Sequence, residues 1–197
     1  MTLFWKTKTQ NNIDMKKTIL IVLICLSATV YGQKLTVTPN GLKDANDTEK
    51  TFVVINAEGK TAKELYDNAI KYINKNYKSP DDVIKGKAEG EFLRFDTFTS
   101  TLFFIKDAFS KTPFSAKYTT ELSFKDGKVK YEVIALNMYN AANIPFTFTG
   151  GTFDFCIFNK KGDLKRLDTK TEIETYFNGQ INTIAEFLQG NSNNDNW

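Results

Sequence analysis

Glu121 and Glu132 are the side chains whose type and spacing come nearest to a catalytic pair. Phe114, Ala116, Tyr118, Leu122 and Phe124 alternate with polar residues, and Asp126-Gly127 offers a two-residue turn with positive φ at both positions. Val129, Tyr131, Val133 and Ala135 then return along the same apolar face. Folding the two runs together sets Glu121 opposite Glu132 on the polar face, with β-carbons roughly 5 Å apart. Carboxylates at that distance can act as an acid and a base, as in glycoside hydrolysis, or hold a calcium ion. The plainer reading is a solvated strand face on which Lys117 and Lys130 offset the repulsion.

Little other chemistry is open to the chain. It has no histidine, which removes Ser-His-Asp and Cys-His catalysis, histidine metal sites and a histidine pH switch. Cys156 falls on the expected polar side of its strand with no group to activate it, so a small buried residue is the default. Neither a glycine-rich phosphate loop nor a cysteine metal spacing occurs, and no cofactor is expected.

The N-terminus speaks to location. Met15-Lys16-Lys17-Thr18, the apolar run Ile19 to Leu26 and the closing Val30-Tyr31-Gly32 have the three parts of a secretory signal, with cleavage expected before Gln33. Met15 opens this signal better than Met1, so either could start translation. Ile24 before Cys25 argues against a lipid anchor, which needs a small residue there. The run is far shorter than the roughly 20 residues that span a bilayer, so the mature protein is expected to be exported to the periplasm or beyond and not to span the membrane. Lys6, Lys8, Lys16, Lys17 and Asp14 leave with the leader, and the net charge of +3 goes with them. A neutral domain lacks the electrostatic footprint of a nucleic-acid binder.

Residues 33–190 read as one α+β domain. Lys34 to Thr38 is a short strand, Pro39 to Lys50 a loop, and Thr51 to Asn56 a confident strand. Thr61 and Glu64 form a capping box, behind which Leu65, Tyr66, Ala69, Ile70, Ile73 and Tyr77 make one apolar stripe, ended by Ser79-Pro80. Strands are expected at Val83 to Lys87 and Glu91 to Phe98, and Leu102 to Ile105 is an apolar run open to either type. Gly150-Gly151 predicts a second hairpin placing Phe148 opposite Phe153 and Phe146 opposite Phe155. Thr169 and Glu172 predict another capping box, followed by a stripe through Ile173, Tyr176, Phe177, Ile181, Ile184 and Leu188 up to Gly190. Residues 191–197 are expected to be a disordered tail.

All but two of the 17 phenylalanines lie beyond residue 90. They imply either a bulky core or a lipid-sized cavity between sheet and helix. Phe146, Phe148, Phe153 and Phe155 form a candidate partner surface, with packing against the second helix as the alternative. Lys160, Lys161, Lys165 and Arg166 form a candidate site for an anionic glycan or lipid headgroup, with a solvated turn as the alternative.

The stretch from 51 to 139 carries Gly59-Lys60-Thr61-Ala62-Lys63-Glu64-Leu65-Tyr66 and then Lys78-Ser79-Pro80-Asp81-Asp82-Val83-Ile84. With these motifs it resembles a family of bacterial exported proteins, domain of unknown function 4468. The resemblance implies a fold like that of the TATA-binding protein: an antiparallel sheet with an N-terminal amphipathic helix and a C-terminal closing helix, β-α-β-β-β-β-α with an additional hairpin. It brings no catalytic residue, and a fold shared with a DNA-binding protein does not imply DNA binding. The expected function is a non-catalytic binding or interaction module whose partner is an envelope protein, glycan or lipid. The alternatives are a carrier of a small apolar ligand and a carboxylate-only hydrolase centred on Glu121 and Glu132.

Overall fold

The computed structural model describes residues 34–106, 110–152 and 154–190. The leader and signal over 1–32, Gln33, Phe153 and the tail over 191–197 lie outside the described residues. The chain opens with a hairpin, β1 (Leu35–Thr38) paired with β2 (Gly41–Asp44), so part of the expected loop after Pro39 is a strand. Gly41, at φ 106°, takes the conformation that lets so short a connection close. β3 (Phe52–Asn56) follows, then α1 (Ala62–Asn76). Thr61 and Glu64 cap α1 reciprocally, each bonded to the other's backbone N–H. Leu65, Tyr66, Ala69, Tyr72 and Ile73 are its buried stripe. A single turn, α2 (Pro80–Val83), leads into β4 (Ile84–Ala88) and three long strands: β5 (Phe92–Lys106), β6 (Lys111–Lys125) and β7 (Lys128–Asn140).

Strands β4, β5, β6 and β7 are antiparallel neighbours in that order, and β3 and β8 (Pro145–Gly150) both pair with β7 along its remaining edge. Leu102 to Ile105 belongs to β5 beyond an irregularity between Thr99 and Phe103. At the Asp126-Gly127 turn only Gly127 takes positive φ, at 75°. Asp126 keeps negative φ, and its carboxylate accepts from the first N–H of α1, on Ala62, at 2.8 Å. Ala135 does not share the face of Val129 and Tyr131. The register slips where Thr119 faces Ala135 and Thr120 faces Val133, so the extra Ile134 forms a bulge that flips every later side chain of β7.

The expected hairpin at Gly150-Gly151 does not form, because β9 (Cys156–Asn159) runs parallel to β8, with Thr147 facing Cys156 and Thr149 facing Phe158. The connecting loop is organised by Asp154, whose carboxylate accepts from the Gly151 N–H, while Thr147 N–H bonds the Phe155 carbonyl at 2.9 Å. A β-carbon on Gly150 would lie 2.8 Å from that of Asp154, so only glycine lets the loop fold this closely.

The closing helix, α3 (Leu167–Gln189), begins ahead of the expected capping box. Thr169 is buried inside it, and Glu172 instead accepts from the Phe104 N–H of β5 at 2.9 Å. Ile173, Phe177, Ile181, Ile184 and Leu188 face the core, and Gly190 ends the helix in the left-handed conformation. Both long helices lie on one face of the sheet: Tyr66 meets Phe124, Tyr72 meets Phe95, and Phe177 meets Tyr118, with ring centroids 5.1–6.3 Å apart. Asn178 and Glu174 of α3 bond the backbone of β1 as a neighbouring strand would. Asn178 takes both the N–H and the carbonyl of Leu35, and Glu174 takes the N–H of Val37.

Candidate functional site: the open face of the sheet

The face of the sheet turned away from α1 and α3 is built in transverse rows, because side chains at facing register positions lie side by side. One row is Phe52, Glu132, Glu121 and Arg94, reading from β3 across β7 and β6 to β5. The next is Val54, Lys130, Ser123 and Phe92, and the last before the turn is Asn56, Lys128 and Lys125. In the other direction come Thr119 with Asp96, and Lys117 with Phe98.

Glu121 and Glu132 are register partners, but each carboxylate is engaged elsewhere. Arg94 grips Glu121 through Nε at 3.0 Å and a second nitrogen at 2.6 Å. Glu132 accepts from Lys130 at 2.8 Å and from the Thr51 hydroxyl. Burial pushes the Glu132 carboxyl up, yet the Lys130 and Thr51 hydrogen bonds outweigh it and hold the group below its ordinary range. A general acid near neutral pH needs the opposite shift. Lys117, expected beside Glu121, pairs loosely with Asp96 at 4.0 Å, and Asp96 also accepts from Thr119 at 2.7 Å. Among the described residues, no group of three or more acidic, histidine or cysteine side chains is placed to hold a metal ion.

The helix-facing side of the sheet is filled by its own rings. Phe103 stacks on Phe114 at 5.1 Å, Phe146 tilts against both, and Phe155 meets Phe114 at 5.6 Å. Phe146 is therefore core, whereas Phe148 and Phe155 are half-buried beside it. Phe148 reaches a groove of about 420 Å3 where the end of β7, from Leu136 to Tyr139, meets β8. Tyr118 packs edge-on to Tyr176 and Phe177, and its hydroxyl lies 3.0 Å from that of Tyr176. Burial pushes the Tyr118 hydroxyl well above the ordinary tyrosine range, so it stays protonated.

The basic cluster does not gather into one patch. Lys160 and Lys161 are exposed at a turn held by the Asn159 side chain. Lys165 folds over the 151–155 loop, within 3.3 Å of the Gly151 carbonyl and 3.5 Å of the Cys156 sulfur, and Cys156 itself is buried. Arg166 lines a pocket of about 310 Å3 at the start of α3 together with Asp168 and Glu172, but Glu172 is engaged by Lys106 and the Phe104 N–H, and the Arg166 Nε is buried without a hydrogen-bond partner among the described residues.

Sequence reasoning missed Arg94 and Asp96 as members of this surface, because that requires the strand order, and passed over Lys125 and Lys128, whose facing positions the Asp126-Gly127 turn already fixes. Lys125 and Lys128, with Phe52, Val54, Ser123 and Lys130, line a concavity of about 400 Å3 at the hairpin end of the open face.

Residues 52–139 match the family described as "Domain of unknown function (DUF4468) with TBP-like fold". A crystal structure of a DUF4468 family protein from Bacteroides ovatus superposes with a TM-score of 0.52 at 14% identity, covering 74% of this chain and 87% of that one. A TBP-like protein from Parabacteroides distasonis gives 0.46 at 12% identity, covering 70% and 90%. No curated protein matches the chain.

Proposed function

We propose, from the match of residues 52–139 to the DUF4468 family with TBP-like fold, that the chain is an exported, non-catalytic binding module acting through its open sheet face. The observation that carries this reading is the contrast between the two faces. The inner face is spent on packing, with Tyr118, Phe177, Phe103 and Phe114 filling the space a carried ligand would need. Among the described residues the outer face is not covered by α1 or α3, and it presents ordered rows of charge and aromatic surface, a pattern suited to recognition. Its carboxylates are held by Arg94, Lys130 and Lys117, which disfavours acid–base chemistry. Export is inferred from the leader at 15–32 and gives the module the envelope as its workplace.

Photo-crosslinking in intact cells tests this reading. A benzophenone residue in place of Lys117, exposed on the open face, should capture a discrete adduct, and one in place of Lys71, exposed on α1, should not. Equal capture from both positions, or capture from Lys71 alone, would refute the open face as the working surface.

A further inference from the structure

The hairpin end of the open face carries a charge arrangement that folding alone does not reward. Lys125 and Lys128 are facing register partners on the same side of the sheet, and like charges directly opposite one another destabilise a strand pair. Asp126 between them in sequence does not neutralise the pair, since its carboxylate is committed to Ala62 N–H at the start of α1. Among the described residues neither lysine makes an ion pair or a side-chain hydrogen bond, and the Ser123 hydroxyl on the same face is also without a partner. Lys130, the third ammonium group, lies over the Phe52 ring at 5.4 Å and is bonded to Glu132. These residues surround the concavity of about 400 Å3 whose remaining wall is Phe52 and Val54 on β3, half-buried side chains exposing apolar surface.

Three ammonium groups against one carboxylate, around an apolar wall, make a site with one charge preference and one shape preference. We propose that this concavity binds a free small amphiphilic anion, a single carboxylate or phosphate group on an apolar body. The headgroup seats between Lys125, Lys128 and the Ser123 hydroxyl, and the body lies along Phe52 and Val54. Its volume is in the range of small-molecule sites, with apolar walls and a few convergent polar groups. Bound anion would relieve the Lys125/Lys128 repulsion, so the cost of holding those charges together is recovered on binding. The inference rests on the open face being the working surface and names the chemistry taken at one end of it.

The test is a titration of the purified full chain followed by amide chemical shifts, with octanoate and octyl phosphate as probes. Octyl glucoside supplies the same tail without the charge, and inorganic phosphate the charge without the tail. Octanoate and octyl phosphate should saturate with shifts confined to Phe52, Val54, Ser123, Lys125, Lys128 and Lys130, while the two controls bind at least about tenfold more weakly. Raising the salt should weaken the binding. The double variant Lys125→Gln/Lys128→Gln should lose about tenfold or more in affinity, while its melting temperature stays the same or rises, because a repulsive pair has been removed. Equal binding of octyl glucoside, equal binding of inorganic phosphate, an affinity untouched by the double variant, or binding only to phosphatidylglycerol vesicles would each overturn the proposal. Shifts centred on Arg94 and Thr119 would also overturn it, yet leave the open-face reading standing, whereas failure of that reading would appear in the Lys71 and Lys117 cross-links.

Discussion

Replacing Asn178 by Ala should cost about 2–4 kcal/mol, because one side chain on α3 takes the place of an entire neighbouring strand for Leu35. In the β1–β2 ladder the Leu35 N–H and carbonyl face away from β2, and Asn178 satisfies both, at 2.9 and 3.0 Å. Leu35 is 2% exposed, so water cannot substitute once the amide is gone. Each bond contributes about 0.5–1.5 kcal/mol, and each buried group left without a partner costs about 1–3 kcal/mol, which sets the range. Against a typical domain stability of about 5–15 kcal/mol the loss is large. Urea denaturation measures it: with a slope of about 2 kcal/mol/M, the midpoint should fall by roughly 1–2 M. Hydrogen exchange supplies the local readout, because the Leu35 amide should be protected in the wild type and open in the variant. Asn178→Asp keeps the acceptor and loses the donor, so it should fall between the two. A midpoint shift worth less than about 0.5 kcal/mol, with the Leu35 amide still protected, would refute the claim that α3 holds the first strand.

Gly150→Ala should destabilise by about 1–3 kcal/mol in thermal or urea denaturation, since the new methyl would meet Asp154 at 2.8 Å and Cys156 at 3.1 Å; an unchanged midpoint would mean the 151–155 loop is looser than described. Stability should be flat from pH 6 to 8, where no histidine titrates, and fall in acid. The Glu132 and Glu174 carboxyls lie below their ordinary value of 4.5, so each contributes stability that is complete above that value and lost as pH falls through the lowered one. Glu174→Gln should flatten the acid limb, as seen in denaturation midpoints across pH. Glu121→Gln should cost less than about 1 kcal/mol, because its partner Arg94 is 43% exposed and the charge left behind stays solvated; binding by the open face can change, but no turnover should be lost.

Elements specified by neighbours in sequence were legible, and those specified by distant partners were not. The capping box at Thr61 and Glu64 and the stripe of α1 are local, and both were read in advance. The register that faces Glu121 with Glu132 was readable because a two-residue turn leaves no freedom in it. The bulge at Ile134 was invisible to alternation, since a single extra residue resets the face without changing the composition. β2 looked like a loop because what stabilises its hairpin is Asn178 and Glu174, more than 130 residues away. Two glycines suggested a tight hairpin at 150–151, yet a carboxylate three residues on, Asp154, turned the chain into a parallel return. The partners of Glu121 and Glu132 could not be assigned while β5 had no known neighbour. Arg94 became relevant only once β5 was seen beside β6.

The central claim, that an exported chain binds through the open face and not through its interior, is tested most directly by native mass spectrometry. The sample is protein isolated from its own envelope, wild type beside the double variant Lys125→Gln/Lys128→Gln, which alters the concavity of the open face. The account predicts a wild-type chain beginning at Gln33 that retains a bound molecule, and a folded variant that has lost it. A chain with its leader intact, a wild-type protein without bound mass, or a bound mass that survives in the variant would contradict the account.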